Sequence, residues 1–163
     1  VGIETPINYE IKNGIYMKGY IDLVIRDTIH NMYKIIDLKT SSRGWNKYQK
    51  SDPMKTSQLI IYKEYYAKQY NVPVDNIDVE FIILKRKLFE SSAFPQKRIQ
   101  KITPASGNVT RKRVRTSVEN FIDNAFDDKG DYVVKEYKTN PSKKACRWCE
   151  FKDNKELCKD GVK

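Results

Sequence analysis

The chain has 163 residues, of which 31 are Lys or Arg and 21 are Asp or Glu, for a formal charge of +10. With 39% hydrophobic and 12% aromatic residues and only seven Gly and six Pro, it falls outside the collagen-like, low-complexity and disordered classes, and one domain of this length buries about 70% of the surface its unfolded chain exposes. No apolar run approaches the roughly 20 residues that span a bilayer, and the first residues, VGIETPINYE, lack the basic and apolar regions of a signal peptide, so an intracellular protein without a membrane partner is expected.

In chain order, Ile3 to Ile11 predicts a strand that pairs with the next one. Residues 15–26 (IYMKGYIDLVIR) and 32–39 (MYKIIDLK) predict two more strands, joined across a polar break from Asp27 to Asn31 as a hairpin. After a loop containing Ser, Gly and Asn, Asp52 before Pro53 supplies an N-cap and a proline at the first helical position. That helix is expected from about Pro53 to Tyr70, before Pro73. Residues 77–84 (IDVEFIIL) and 97–103 (KRIQKIT) predict further strands. From Asn108 to Phe126, the apolar residues Val114, Val118, Phe121, Ile122 and Ala125 recur at helical spacing, with Asn108 or Thr110 as the cap. The rest is an aperiodic tail. This order predicts an α/β fold, a mixed central β-sheet flanked by helices, in one domain: a core over 1–138 and a cysteine-containing tail over 139–163.

The charge is concentrated. Between Lys85 and Arg115 lie ten basic residues (Lys85, Arg86, Lys87, Lys97, Arg98, Lys101, Arg111, Lys112, Arg113, Arg115) and one acid, Glu90. Most charge runs are solvated faces. Here Arg111, Lys112, Arg113 and Arg115 crowd the first turns of a predicted helix, where the dipole disfavours cations. An anion docked there would resolve the conflict, and nucleic acid is the polyanion expected.

Two acids stand in apolar strands. A regular hairpin centred on Ile29 and His30 sets Asp22 directly opposite Asp37, with Lys39 on the same face. Their neighbours Ile21, Leu23, Val24, Ile25, Ile35, Ile36 and Leu38 are apolar on both faces, as in strands covered from both sides. Carboxylates so placed repel each other and lose solvation unless a cation compensates. Lys39 alone could neutralise one of them as a buried ion pair; the alternative is a divalent metal held by hard oxygen ligands beside an ammonium.

Gly19-Tyr20-Ile21-Asp22 followed by Asp37-Leu38-Lys39 resembles the GxxD and (D/E)xK signatures of the PD-(D/E)XK nuclease superfamily. Gln58 and Tyr62, one turn apart on a helix face with Met54, Ile61 and Tyr65, resemble the QxxxY motif of its RecB-like branch. Cys146, Cys149 and Cys158 form a C-x2-C-x8-C tail similar to that of the iron–sulfur members, AddB and CRISPR-associated relatives among them. The resemblance covers nearly the whole chain in a shared order. It implies a restriction-endonuclease-like core and a Mg²⁺- or Mn²⁺-dependent deoxyribonuclease, expected to be an exonuclease of recombination, repair or phage DNA metabolism working with helicase or recombination partners.

As the resemblance implies, Asp22, Asp37 and the Leu38 carbonyl would hold the metal, Lys39 would act beside the attacking water, and Gln58 and Tyr62 would position substrate. Lys85, Arg86, Arg111, Lys112, Arg113 and Arg115 are the expected DNA contacts. Three cysteines cannot all pair as disulfides, which points to metal ligation; the resemblance implies a [4Fe–4S] cluster whose fourth ligand lies outside this chain, and the alternative is Zn²⁺, for which the single His30 in the predicted turn would be the remaining ligand. Relatives carry the fourth cysteine and a further His or Glu metal ligand upstream. The chain starts with Val1, so a preceding segment is expected to supply both, with Glu4 or Glu10 as stand-ins at the acidic site. A non-catalytic nucleic-acid-binding module with a structural metal at the cysteines is the alternative of another class.

Overall fold

In the computed structural model, which describes residues 1–136 and 138–162, the chain divides into two compact units, Val1–Tyr132 and Val133–Lys163. The first begins with strands β1 (Gly2–Lys12) and β2 (Ile15–Asp27). Asn13 and Gly14 join them with φ of 47° and 79°, the paired left-handed conformations of a two-residue hairpin turn. Glu10 closes that turn by accepting the Gly14 N–H at 2.8 Å and the Tyr16 hydroxyl at 3.3 Å, so it serves the turn rather than the acidic site for which it was a candidate.

Strand β3 (Met32–Ser41) returns antiparallel to β2 after a turn built by Asp27. That carboxylate accepts the N–H groups of Ile29 at 2.9 Å and His30 at 3.2 Å, and lies 2.7 Å from His30 Nδ1. The imidazole is thus occupied at an exposed turn, as its position in the sequence suggested.

Strand β4 (Ile77–Lys85) runs parallel to β3, in register from Tyr33↔Ile77 to Ser41↔Lys85. Parallel neighbours need a crossover, and α2 (Pro53–Gln69) provides it, preceded by a single turn, α1 (Lys47–Lys50), and followed by a 3-10 turn at Val74–Asn76. Asp52 caps α2 by accepting the Met54 N–H at 3.0 Å, with Pro53 in the first turn. Strand β5 (Ile99–Ile102), shorter than expected, pairs antiparallel with β4, and helix α3 (Asn108–Ala125) follows. Its N-cap is Gly107 without a side-chain cap, not Asn108 or Thr110.

The sheet order is therefore β1-β2-β3-β4-β5, a mixed five-stranded sheet flanked by helices, as the sequence predicts. Its core consists of Ile7, Ile21, Val24 and Ile35, Val79, Phe81 and Ile83 of the sheet against Leu59, Ile60, Tyr62, Tyr65 and Tyr66 of α2, with Trp45 stacked on Phe81 at 5.0 Å. Burial on both faces, expected from the continuous apolar runs, is not general. On the side away from Ile35 and Phe81, Ile36 is buried, whereas Ile25, Leu38, Leu84 and Ile99 remain 39–51% exposed.

In the second unit, Ser142 caps the single turn α4 (Lys143–Cys146) through the Ala145 N–H at 3.0 Å. Asn154 accepts the N–H groups of Glu156 and Leu157, and Thr139 bonds to Asp160.

Candidate active site

The β2–β3 ladder has the register expected, running from Asp27↔Met32 to Leu23↔Ile36, and there it stops. One more step would pair Asp22 with Asp37. Instead the two strands part, β2 staying with β1 and β3 with β4. The cause lies in β2: Ile21 and Val24, three residues apart, are both buried, so the two-residue alternation breaks across Asp22 and Leu23. The neighbouring strand marks the same place. Glu4, between the pairs Thr5↔Ile21 and Ile3↔Leu23, has a left-handed φ of 47°, a conformation that non-glycine residues adopt at bulges and turns. Glu4 is exposed and opposite Asp22 in register.

The break turns the Asp22 carboxylate into the gap, where Oδ2 accepts the Leu38 N–H at 2.7 Å. In an extended strand the N–H and C=O of one residue leave by the same edge, so the Leu38 carbonyl faces that gap too. Asp37 points to the buried face and is 2% exposed. Lys39, two residues on and 35% exposed at its side chain, reaches back with Nζ 3.1 Å from Oδ1 and 2.8 Å from Oδ2. The bond to Oδ1 has hydrogen-bond geometry, and buried Oδ2 has no hydrogen-bond donor.

Burial pushes the Asp37 carboxyl above its ordinary range; Lys39 pulls it back and the Asp22 charge pushes it up again. Two acids and one ammonium leave the site net negative. A hard cation fits those donors: two carboxylates and a backbone carbonyl. Among the described residues, no group of three or more His, Cys, Asp or Glu side chains is placed to hold a metal, so the acidic donors here are two.

Gln58 and Tyr62 lie on α2 as expected, and they bond to each other, Gln58 Nε2 donating to the Tyr62 hydroxyl at 3.3 Å. Met54, expected on their packed face, is 88% exposed instead. Gly19 acquires a role that the sequence did not disclose. A Cβ at this position would lie 3.3 Å from the Tyr62 ring, so a bare backbone lets the tyrosine lie on β2 three residues from Asp22. Tyr62 and Gln58 also line an apolar groove of about 790 Å³ with Met17, Phe121 and Arg113; Asp22, Asp37 and Lys39 do not line it.

The sequence profile of the PD-(D/E)XK nuclease superfamily matches residues 1–154. The chain belongs to that superfamily. Its members are generally nucleases that use Mg²⁺ or Mn²⁺, and the mixed sheet seen here is consistent with their restriction-endonuclease-like fold. No curated protein matches the chain. Among solved structures, the crystal structure of SSO0001 is similar over 99% of this chain at 16% identity and a TM-score of 0.49. The chain spans 62% of that structure's length.

The basic residues separate into two groups. Arg111 is 12% exposed and paired with Glu64 at 3.4 Å and Asp75 at 3.6 Å, and Arg115 lies 3.8 Å from Glu64 and 3.9 Å from Glu119. The two pairs with Glu64 dock α3 on α2, and with Asp75 and Glu119 they resolve much of the conflict with the helix dipole that the sequence assigned to an anion. Lys112 and Arg113 are exposed. Lys85 and Arg86 stand at the end of β4, with Arg86 Nη2 donating to Ser42 Oγ at 3.1 Å.

Cys146, Cys149 and Cys158 are all free thiols, Cys146 buried and the others half-buried. They belong to no metal-holding group among the described residues, and His30 is taken by Asp27. The Cys149 N–H bonds to the Cys146 carbonyl and the Cys158 N–H to the Asn154 carbonyl.

Proposed function

We propose that this chain is a deoxyribonuclease that cleaves phosphodiester bonds at the β2–β3 fork with Mg²⁺ or Mn²⁺. The observation that carries the reading is the buried Asp37 carboxylate, ion-paired with Lys39 at 2.8 Å, with the Asp22 charge beside it. Asp22, Asp37 and the Leu38 carbonyl would hold the ion. Such an ion polarises a phosphoryl oxygen and lowers the pKa of bound water. Lys39, anchored to Asp37 and partly open to solvent, orients the attacking water and stabilises the charge that develops on the phosphate. Gln58 and Tyr62 fix one side of the substrate path, and the cations at the end of β4 together with the exposed Lys112 and Arg113 of α3 hold the phosphate backbone.

The test is cleavage of a labelled oligonucleotide. Degradation is expected with Mg²⁺ or Mn²⁺ and not in EDTA. Lys39→Ala should lower the rate by a factor of roughly 10² to 10⁴ while DNA binding persists. A folded Lys39→Ala protein with full activity would overturn the assignment. DNA binding without cleavage in any divalent ion would favour a non-catalytic module.

A further inference from the structure

The loop joining β4 and β5, residues 86–98, is fastened to the strand that carries Asp37 and Lys39. The Arg86 N–H donates to the Ser41 carbonyl and the Lys87 N–H to the Ser42 carbonyl, each at 2.8 Å, and the Lys85 N–H donates to the Arg98 carbonyl at 2.8 Å. Further out, Gln96 closes the loop by exchanging bonds of 2.8 and 2.7 Å with the backbone of Phe89. The result is a built finger.

Its tip carries aromatic surface. Phe94 is 80% exposed and Phe89 52%, with the Arg43 guanidinium 4.8 Å from the Phe89 ring. Ser92 Oγ donates to the Phe94 carbonyl at 3.0 Å and accepts its N–H at 3.3 Å. Pro95 follows and restricts Phe94 to an extended backbone. An apolar ring is thus held out in water by specific bonds. The loop and its base carry Lys85, Arg86, Lys87, Lys97 and Arg98 against the single acid Glu90, with Arg86 and Arg98 bonded at the base and Arg43 over Phe89.

Cations alone would suit any polyanion, and a lone aromatic any apolar partner. Together they match an unpaired nucleic-acid strand, which offers phosphates and open base faces at once. In an intact duplex the bases stack on one another and present no face to a side chain. Building on the nuclease reading above, we propose that the finger binds a single strand, Phe94 stacking on a base while the surrounding Lys and Arg hold its phosphates, so that the substrate is single-stranded or frayed DNA rather than closed duplex. Ser41, where the finger is tied down, lies four residues beyond Asp37 on β3, about 13 Å at the rise of an extended strand. The base of the finger is thus fastened to the same strand that carries Asp37 and Lys39.

The experiment measures binding in EDTA, without cleavage, of a short single strand carrying 2-aminopurine and of a blunt hairpin with the same number of phosphates. The single strand is expected to bind about tenfold tighter and its fluorescence to be quenched. Phe94→Ala should weaken single-strand binding about tenfold, abolish the quenching and leave the hairpin unaffected; Phe94→Trp should retain both affinity and quenching. Equal losses on the two substrates, no loss at all, or equally good competition by an acidic peptide of the same charge would overturn the proposal. Failure to cleave in Mg²⁺ would instead count against the nuclease reading and leave these binding results intact.

Discussion

Asp37 is the residue on which the site's energetics turn. Its carboxyl is raised by burial, with Lys39 opposing and Asp22 adding to the shift. A carboxyl whose folded pKa exceeds its unfolded value of 3.8 contributes stability that is fully present below that value and lost as pH rises through the folded one. At neutral pH the ionised group therefore strains the metal-free fold, and Asp37→Asn should raise its melting temperature. A gain on the order of 1 kcal/mol corresponds to about 2–4 °C for a chain of this size. The difference between the two proteins should shrink as pH falls below 4, and Mn²⁺ at neutral pH should reverse it by stabilising only the unsubstituted protein. Thermal melts across pH with and without Mn²⁺ check all three outcomes. The acids and Lys39 were legible in the sequence because charges inside apolar strands demand an account. The break at Asp22 and Leu23 was not, because the unbroken run Ile21, Leu23, Val24, Ile25 carries no period from which a bulge could be read.

At the scale of elements, α3 was legible and its cations were not. Its apolar spacing predicted the helix and both ends within a residue or two, since that pattern is local to the segment. Glu64 and Asp75, which take Arg111, lie on other elements, and no local pattern announces such partners. The sheet's open face escaped for a related reason: β-rich composition favours a strand without saying whether a layer covers it. The two cation groups should separate under mutation. Arg111→Ala leaves the largely buried Glu64 with only the more distant Arg115 and is expected to cost about 3–5 kcal/mol. Arg113→Gln, exposed at the groove edge of the same helix, should change stability by less than about 0.5 kcal/mol yet weaken DNA binding and reduce its salt dependence by about one unit of slope. Urea denaturation and salt titrations of affinity on both variants test the division; equal effects of the two on stability would show that it is wrong.

For the whole molecule, the fork means that no single stretch of backbone owns the chemistry. Asp22 belongs to a ribbon of β1 and β2, Asp37 and Lys39 to the layer of β3, β4, β5 and α2. Between them run the ladder that ends at Leu23↔Ile36 and one exposed turn in which Ile29 is 88% open to solvent. Cutting the polypeptide after Ile29 removes no group of the site and leaves each piece with one acid. Neither piece alone should cleave DNA in Mn²⁺. Mixed, they should regain activity, and a first piece carrying Asp22→Asn should compete for the second without restoring it. Activity from one piece alone would refute the shared site. Divided in this way, the chain would become a report on whether two polypeptides have met, the proposed pair of acids complete only when the halves assemble.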